Sequence, residues 1–280
     1  MIVQPFGATS SLPDLAGSTL VIPCQSAGLS SNIGVDLYVI NEGLQKIGYY
    51  KSQYIAAGLS NDGLSTGLNE GNLTLPAEVY FNASTKVTAL IIRSGIYSGK
   101  GRLFEKELTE FIKKSGFSRI VVLTSTLSPV NRERDSNRQI PELFGYVNKH
   151  VLATQPKYFA DHGLKQFGFW LGDSKQKEFQ ELDELMMSGS AKTLMKLFNK
   201  LSIPAHLFVM FTSGGIDFVG GYVYFQFLRN NLFEDQSSLV QHQLGKLNLD
   251  QLTGEGIHEK LFVNNDTKIP AYWRQIVSYF

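Results

Sequence analysis

The sequence predicts an α/β fold, a mixed and mostly parallel sheet with helices on both faces. Three observations lead there. Short apolar runs at 19–23, 86–93, 119–125 and 206–211 read as strands buried on both sides. Between them stand longer segments whose apolar residues recur every three or four positions, the period of helices that cover a sheet. Finally, 78–82 and 86–93 are strand-like runs separated by Ala83, Ser84 and Thr85 alone, so an antiparallel hairpin is the simplest reading and the sheet is mixed.

Taken in order, residues 19–23 form the first buried strand. Ser31 or Asn32 then caps a helix whose apolar positions Ile33, Leu37, Ile40 and Leu44 predict one amphipathic face packed on the sheet. Residues 46–50 make a short second strand. The stretch 56–75 is dense in Gly, Asn and Ser and reads as an exposed loop or loose hairpin. In the hairpin that follows, Val87, Ala89, Leu90, Ile91 and Ile92 make the second strand nearly all apolar, hence central.

A helix over 103–115 places Phe104, Leu108, Phe111 and Ile112 on one face. Lys113 and Lys114 favour its C-terminal end, and Gly116 stands in the cap position. Residues 119–125 give the next buried strand. The region 129–156 is irregular, with a polar run at 131–139, and is expected to be a loop. Phe179, Leu182 and Met186, then Leu194, Leu197, Phe198 and Leu201, predict two short helices in a hairpin broken at 188–190. A strand at 206–211, a turn at 212–215 and a helix capped by Asp217 and ending near Arg229 complete the pattern. Tyr222, Tyr224, Phe225 and Phe227 exceed what one buried face needs, which leaves two readings for that helix: core on two sides, or an interface.

The whole chain, 1–280, reads as one α/β domain with a polar excursion at 234–268 and a short tail at 269–280. With 43% hydrophobic and 18% charged residues the composition is that of a folded domain, so disorder is confined to segments. A formal net charge of +1 supplies no overall field toward nucleic acid or anionic membrane. There is no run of about 20 apolar residues to span a bilayer and no basic, apolar leader at the start, so a cytoplasmic and nuclear location is expected. Cys24 is the single cysteine, which rules out an internal disulfide and a cysteine-based zinc site.

Tests for chemistry return little. The loop from Gly95 to Gly101 sits between a strand and a helix, as a phosphate loop does. It has three residues between its first glycine and the Gly99-Lys100 pair, where a Walker A loop has four, and Gly101 takes the place of the metal-binding hydroxyl. A strand-to-helix turn is the better reading. Ser213-Gly214-Gly215 opens a helix and reads as a tight turn before an anion site. Ser98 is displaced by one position from a nucleophile elbow. Cys24 has no identifiable histidine partner, and His150, His162, His206, His242 and His258 show no paired metal-ligand spacing. No catalytic residue, metal or cofactor is expected.

Several segments, in order, resemble the proteasome assembly chaperone 2 family. They are Leu12-Pro-Asp-Leu-Ala-Gly17 with the strand after it, Ile33-Gly-Val-Asp36-Leu37, Lys46-Ile-Gly-Tyr49, Glu78-Val-Tyr80, Leu90-Ile-Ile-Arg93-Ser94, the run 115–123, and Ile269-Pro270 with Trp273-Arg274. The resemblance weakens between 125 and 205. It implies a nucleoside phosphorylase-like α/β fold without that class's activity, a heterodimer with proteasome assembly chaperone 1, and binding to proteasome α subunits during core-particle biogenesis. It also points to the C-terminal residues Val277, Ser278, Tyr279 and Phe280. Some relatives dock tails ending in a hydrophobic residue, tyrosine and any residue between α subunits. Tyr279 has the penultimate place and Ser278 departs from the pattern. The alternative is that Trp273, Ile276 and Val277 pack the tail onto its own domain, and the alternative function is a hydrolase or phosphorylase-like enzyme on the same fold.

Overall fold

The computed structural model describes residues 3–6, 11–61, 64, 73–127, 143–161, 164–167, 182, 185, 187–212 and 215–232. Its centre is a nine-stranded sheet. The strands are β1 (Val3–Pro5), β2 (Thr19–Pro23), β3 (Gln45–Tyr50), β6 (Ala77–Asn82), β7 (Val87–Ile92), β8 (Arg119–Thr126), β9 (Leu143–Val147), β10 (Lys165–Gln166) and β11 (Ala205–Phe211), in the spatial order β1-β3-β6-β7-β2-β8-β11-β9-β10. A separate two-stranded ribbon pairs β4 (Ser60–Asn61) with β5 (Leu73–Thr74), the loose hairpin expected between 56 and 75.

The middle four strands, β7, β2, β8 and β11, run parallel, and the expected β6–β7 hairpin extends the sheet antiparallel toward β1. On the other side β9 joins β11 antiparallel. Apart from the two-residue parallel pairing of β10 with β9 at the edge, parallel pairing thus sits where both faces are covered, as the continuous apolar runs require.

Along each central strand the side chains alternate between two cores, following the two-residue period of a pleat. Leu20, Ile22, Leu90, Ile120, Val122, Leu207 and Val209 face one core. Val21, Ala89, Ile91, Val121, Leu123, Phe208 and Met210 face the other. The first core is closed by α2 (Gly101–Ser115), through Phe104, Leu108, Phe111 and Ile112, and by α5 (Ala191–Lys200), through Leu194, Met195 and Phe198. The second is closed by α1 (Ser30–Asn41) and α6 (Phe218–Asn231).

The ends of α2 follow the sequence reading: Lys113 and Lys114 lie in its last turn and Gly116 caps it in the left-handed conformation, φ +66°. Asp217 caps α6 by accepting a hydrogen bond from the Gly220 amide at 2.7 Å. Tyr222, Tyr224, Phe225 and Phe227 are all buried, so their excess is core and not exposed surface.

Two expectations need correction. Helix α1 is not amphipathic: every residue from Ser30 to Val39 is buried. It follows directly on a 3-10 turn (Ala27–Leu29), with Leu29 in the N-cap place and the expected caps Ser31 and Asn32 already inside the helix. The physical reason is a close crossing with α6. A Cβ on Gly34 would lie 2.4 Å from the Tyr224 Cβ, and one on Gly221 would lie 2.1 Å from the Ile33 Cγ2, so the two helices approach through their glycines. The region 129–156 is not irregular throughout. It holds β9 and a helix α3 (Lys149–Thr154), with Asn148 as the N-cap accepting from the Val151 amide, and is followed by the single turn α4 (Tyr158–Asp161). The first of the two helices expected between 179 and 201 falls mostly outside the described residues, as do the polar run 131–139, the excursion 234–268 and the tail 269–280.

Candidate functional site

Strand connections decide where such a sheet opens. β2 leaves toward α1 on one face and β7 leaves toward α2 on the opposite face. Adjacent parallel strands whose chains depart to opposite faces leave a crevice beyond their C-terminal ends. A cleft of about 320 Å³ lies there, walled by Pro23 and Gln25 after β2, Ile92 and Ser94 after β7, Gly101 and Phe104 of α2, and Ser190 and Leu194 at the start of α5. The glycine loop singled out by sequence forms part of its rim: Gly95 and Ile96 line the cleft, and Ile55 pairs with Ile96 in an antiparallel bridge. Gly189 closes the α5 side. It adopts φ +58°, and any Cβ would fall 2.1 Å from the Gln25 carbonyl oxygen, so glycine alone lets this turn lie against the chain leaving β2.

Glu105 is an ionisable lining residue, and partial burial raises its carboxyl above the ordinary range while the nearby Arg102 opposes the shift. Cys24, at the foot of the site, is buried and accepts a hydrogen bond from the Ser190 hydroxyl at 3.4 Å. Burial pushes its thiol up to about 12, with the Ser190 bond a smaller opposing effect. Nucleophilic cysteines need the reverse shift. His206 is buried in β11 with Nδ1 3.3 Å from the Ile120 carbonyl oxygen, and His150 places Nε2 3.4 Å from the Asn199 carbonyl oxygen. Neither ring lines the cleft. His162, His242, His258, Ser213 and Gly214 lie outside the described residues, as do Val277, Ser278, Tyr279 and Phe280. No cluster of three or more His, Cys, Asp or Glu fit to hold a metal occurs among the described residues. None of the described helices is long and apolar enough to cross a membrane.

Beside the cleft, on the α1 face, the structure gathers residues to which sequence reasoning assigned no role. Asp36 of α1 and Arg93 after β7 form a bidentate ion pair at 2.7 and 3.0 Å, with the Asp36 side chain 2% exposed. Lys46 of β3 meets the fully buried Glu78 of β6 at 2.8 Å. Tyr80 donates to the other Glu78 oxygen at 2.6 Å, and its hydroxyl is pushed far up, first by burial and then by the Glu78 charge. Forked Arg–carboxylate geometry fixes orientation as well as distance. The pair therefore pins α1 to the end of β7, next to the switch point. All five residues come from the short segments by which the sequence resembles the chaperone family, 33–37, 46–49, 78–80 and 90–94. Those scattered segments are one structural unit.

No family model matches the chain. Proteasome assembly chaperone 2 of Homo sapiens is 36% identical over 121 residues, 42% of this chain and 45% of the relative. That of Bos taurus is 35% identical over 119 residues, with the same coverage. Over that stretch this chain is similar to proteasome assembly chaperone 2. The matched region spans under half the length of those two relatives, 45% of each. Proteasome assembly chaperone 2 of Nematostella vectensis aligns over 213 residues at 24% identity, 72% of this chain and 84% of the relative.

Among solved structures, Pyrococcus furiosus PbaA, described as an archaeal homolog of proteasome-assembly chaperone, superposes with a TM-score of 0.58 at 15% identity, covering 89% of this chain and 96% of that one. PbaB of the same organism, described as an archaeal proteasome activator, gives 0.58 at 10% identity, with 87% and 94% covered. The likeness to both is one of fold. Neither name bears on the nucleoside phosphorylase class, which stays an expectation from sequence.

Proposed function

We propose that this chain is a non-catalytic chaperone subunit of proteasome assembly, which pairs with proteasome assembly chaperone 1 and binds the α-ring during core-particle biogenesis in the cytoplasm and nucleus. The observation that carries the reading is the 35–36% identity to proteasome assembly chaperone 2 over 119–121 residues; the Asp36–Arg93 and Lys46–Glu78–Tyr80 cluster is built by the segments through which the sequence resembles that family. Beside the cleft, burial pushes the Cys24 thiol up to about 12, which fits a structural and not a nucleophilic cysteine.

In this reading Val277, Ser278, Tyr279 and Phe280 form a docking tail. Tyr279 packs and hydrogen-bonds between two α subunits, and the terminal carboxylate meets a lysine there. Co-expression with proteasome assembly chaperone 1 and with α subunits tests the function. A stable complex containing all of them is expected, whereas a monomer that turns over a small-molecule substrate would overturn it. Deleting 278–280 isolates the tail: α-ring affinity falls by at least tenfold while the pairing with proteasome assembly chaperone 1 is unchanged. Unchanged α-ring affinity would remove the tail from the mechanism and leave the subunit's role intact.

A further inference from the structure

Eight large apolar side chains stand exposed among the described residues, and six of them lie at one edge of the sheet. Leu29, Leu59, Tyr97, Leu103, Met187 and Ile216 all belong to loops or a first helical turn beyond the C-terminal ends of the parallel strands, the edge at which the cleft opens, though none of them lines it. Backbone hydrogen bonds join three of these loops into one surface: the Ala27 amide donates to the Met187 carbonyl at 3.0 Å, and the Asp217 amide to the Gly28 carbonyl at 2.9 Å. Leu29 and Met187 both have φ +54°. Left-handed backbone at a bulky residue costs on the order of 1–2 kcal/mol. Here it is kept at two positions that send apolar side chains outward, Met187 being 66% exposed. Strain of this kind collects at binding and switch regions.

The surface is electrically divided. Around Leu29, Met187 and Ile216 the exposed neighbours Gln25, Gly189 and Gly215 are uncharged. The Asp217 carboxylate is spent on the Ser30 hydroxyl and the Gly220 amide. On the α2 side, Lys100 and Arg102 stand exposed beside Tyr97 and Leu103, at a helix start that has no acidic residue in its first turn. The complement of this pattern is an uncharged apolar strip flanked on one side by carboxylates. A rim spread over five loops and a helical turn also exceeds what a small ligand in a cleft of about 320 Å³ would touch.

The geometry points to this edge as the docking surface for a protein partner that presents an apolar segment flanked by acidic side chains. The inference rests on the proposed chaperone function and locates where that function meets its partner. The acidic flank sits at Lys100 and Arg102, and the apolar segment crosses the cleft mouth to Met187 and Ile216.

The test uses the full chain carrying a photo-crosslinking phenylalanine analogue at Leu103, Met187 or Ile216, with Ser84 in the β6–β7 turn at the opposite edge as control. Purified proteasome assembly chaperone 1 and purified α-subunit rings are the probes, each alone. Crosslinks to one of them from the three edge positions and none from Ser84 are expected. A Lys100→Glu, Arg102→Glu variant and a Met187→Asp, Ile216→Asp variant should each bind that partner at least tenfold more weakly with an unchanged melting temperature. The first should also lose the salt dependence of binding. Binding that persists in both variants with crosslinks from Ser84 alone overturns the surface and leaves the chaperone function standing. Crosslinks to a second copy of this chain alone overturn the surface too. Binding to neither probe overturns both proposals.

Discussion

Replacing Gly34 by alanine puts one methyl group into the α1–α6 crossing. The new carbon would begin 2.4 Å from the Tyr224 Cβ and 2.9 Å from the Gly221 carbonyl oxygen, whereas carbon atoms rest at about 3.5–4.0 Å. The helices must therefore part by about 1 Å. Tyr224 resists that movement, because its hydroxyl donates to the Thr124 and Phe208 carbonyls across the sheet. Overpacking a tight site costs about 1–3 kcal/mol, and contact with backbone and a fixed aromatic stem puts this case at the upper end. Alanine in place of glycine inside a helix returns about 1 kcal/mol. The net loss is about 2 kcal/mol, a fall in melting temperature of about 5 °C for a chain of this size. Differential scanning calorimetry measures it, with Gly101→Ala as control, since a Cβ there meets nothing closer than the Glu105 Oε1 at 4.0 Å. A melting temperature unchanged or raised in Gly34→Ala would refute the close crossing and the account of why α1 is buried on all sides.

The Asp36–Arg93 pair predicts strong coupling. Asp36→Asn alone should cost about 2–4 kcal/mol in urea denaturation, a little below the value for a fully buried pair because the Arg93 side chain is 20% exposed. Combining Asp36→Leu with Arg93→Met should recover more than half of that loss, and additive single-mutant effects would sink the claim that the two act as a unit. Cys24 predicts inertness: with its thiol at about 12 in place of 9.0, the thiolate fraction at pH 8 falls about a thousandfold. Alkylation by iodoacetamide, followed by mass spectrometry on the native protein, should be slower than for a free thiol by that order. A rate within tenfold of the free thiol would contradict its burial.

The sequence revealed those elements whose burial leaves a simple pattern. β2, β7, β8 and β11 are continuous apolar runs, and α2 and α5 bury one stripe each, so their period is visible. Helix α1 hides its environment, because its polar residues Ser30 and Asp36 are buried against partners that lie far along the chain: Asp36 meets Arg93, and the Ser30 hydroxyl meets Asp217. β9 is masked by Gly145 in its middle and by the polar run before it, and its strand state comes from pairing with β11. β1 and β10, at three and two residues, are too short to carry any period. The cleft is half visible: the Gly95–Gly101 loop reads from sequence as the strand-to-helix turn it is, whereas its pairing with 54–57 depends on tertiary contact. The ion-pair cluster was in view as family-like segments, yet nothing local in the chain says that they converge.

The edges of the sheet bear on whether such a protein associates through its backbone. Among the described residues the sheet ends on one side at β1, three residues closing in Pro5, and on the other at β10, two residues long. Neither offers the long row of free amides and carbonyls that templates strand addition. A chain that exposes apolar side chains at its loops while keeping its flanks blunt can capture partners through side chains without polymerising through its backbone. The exposed apolar side chains and the blunt strand edges thus lie on different parts of the same sheet.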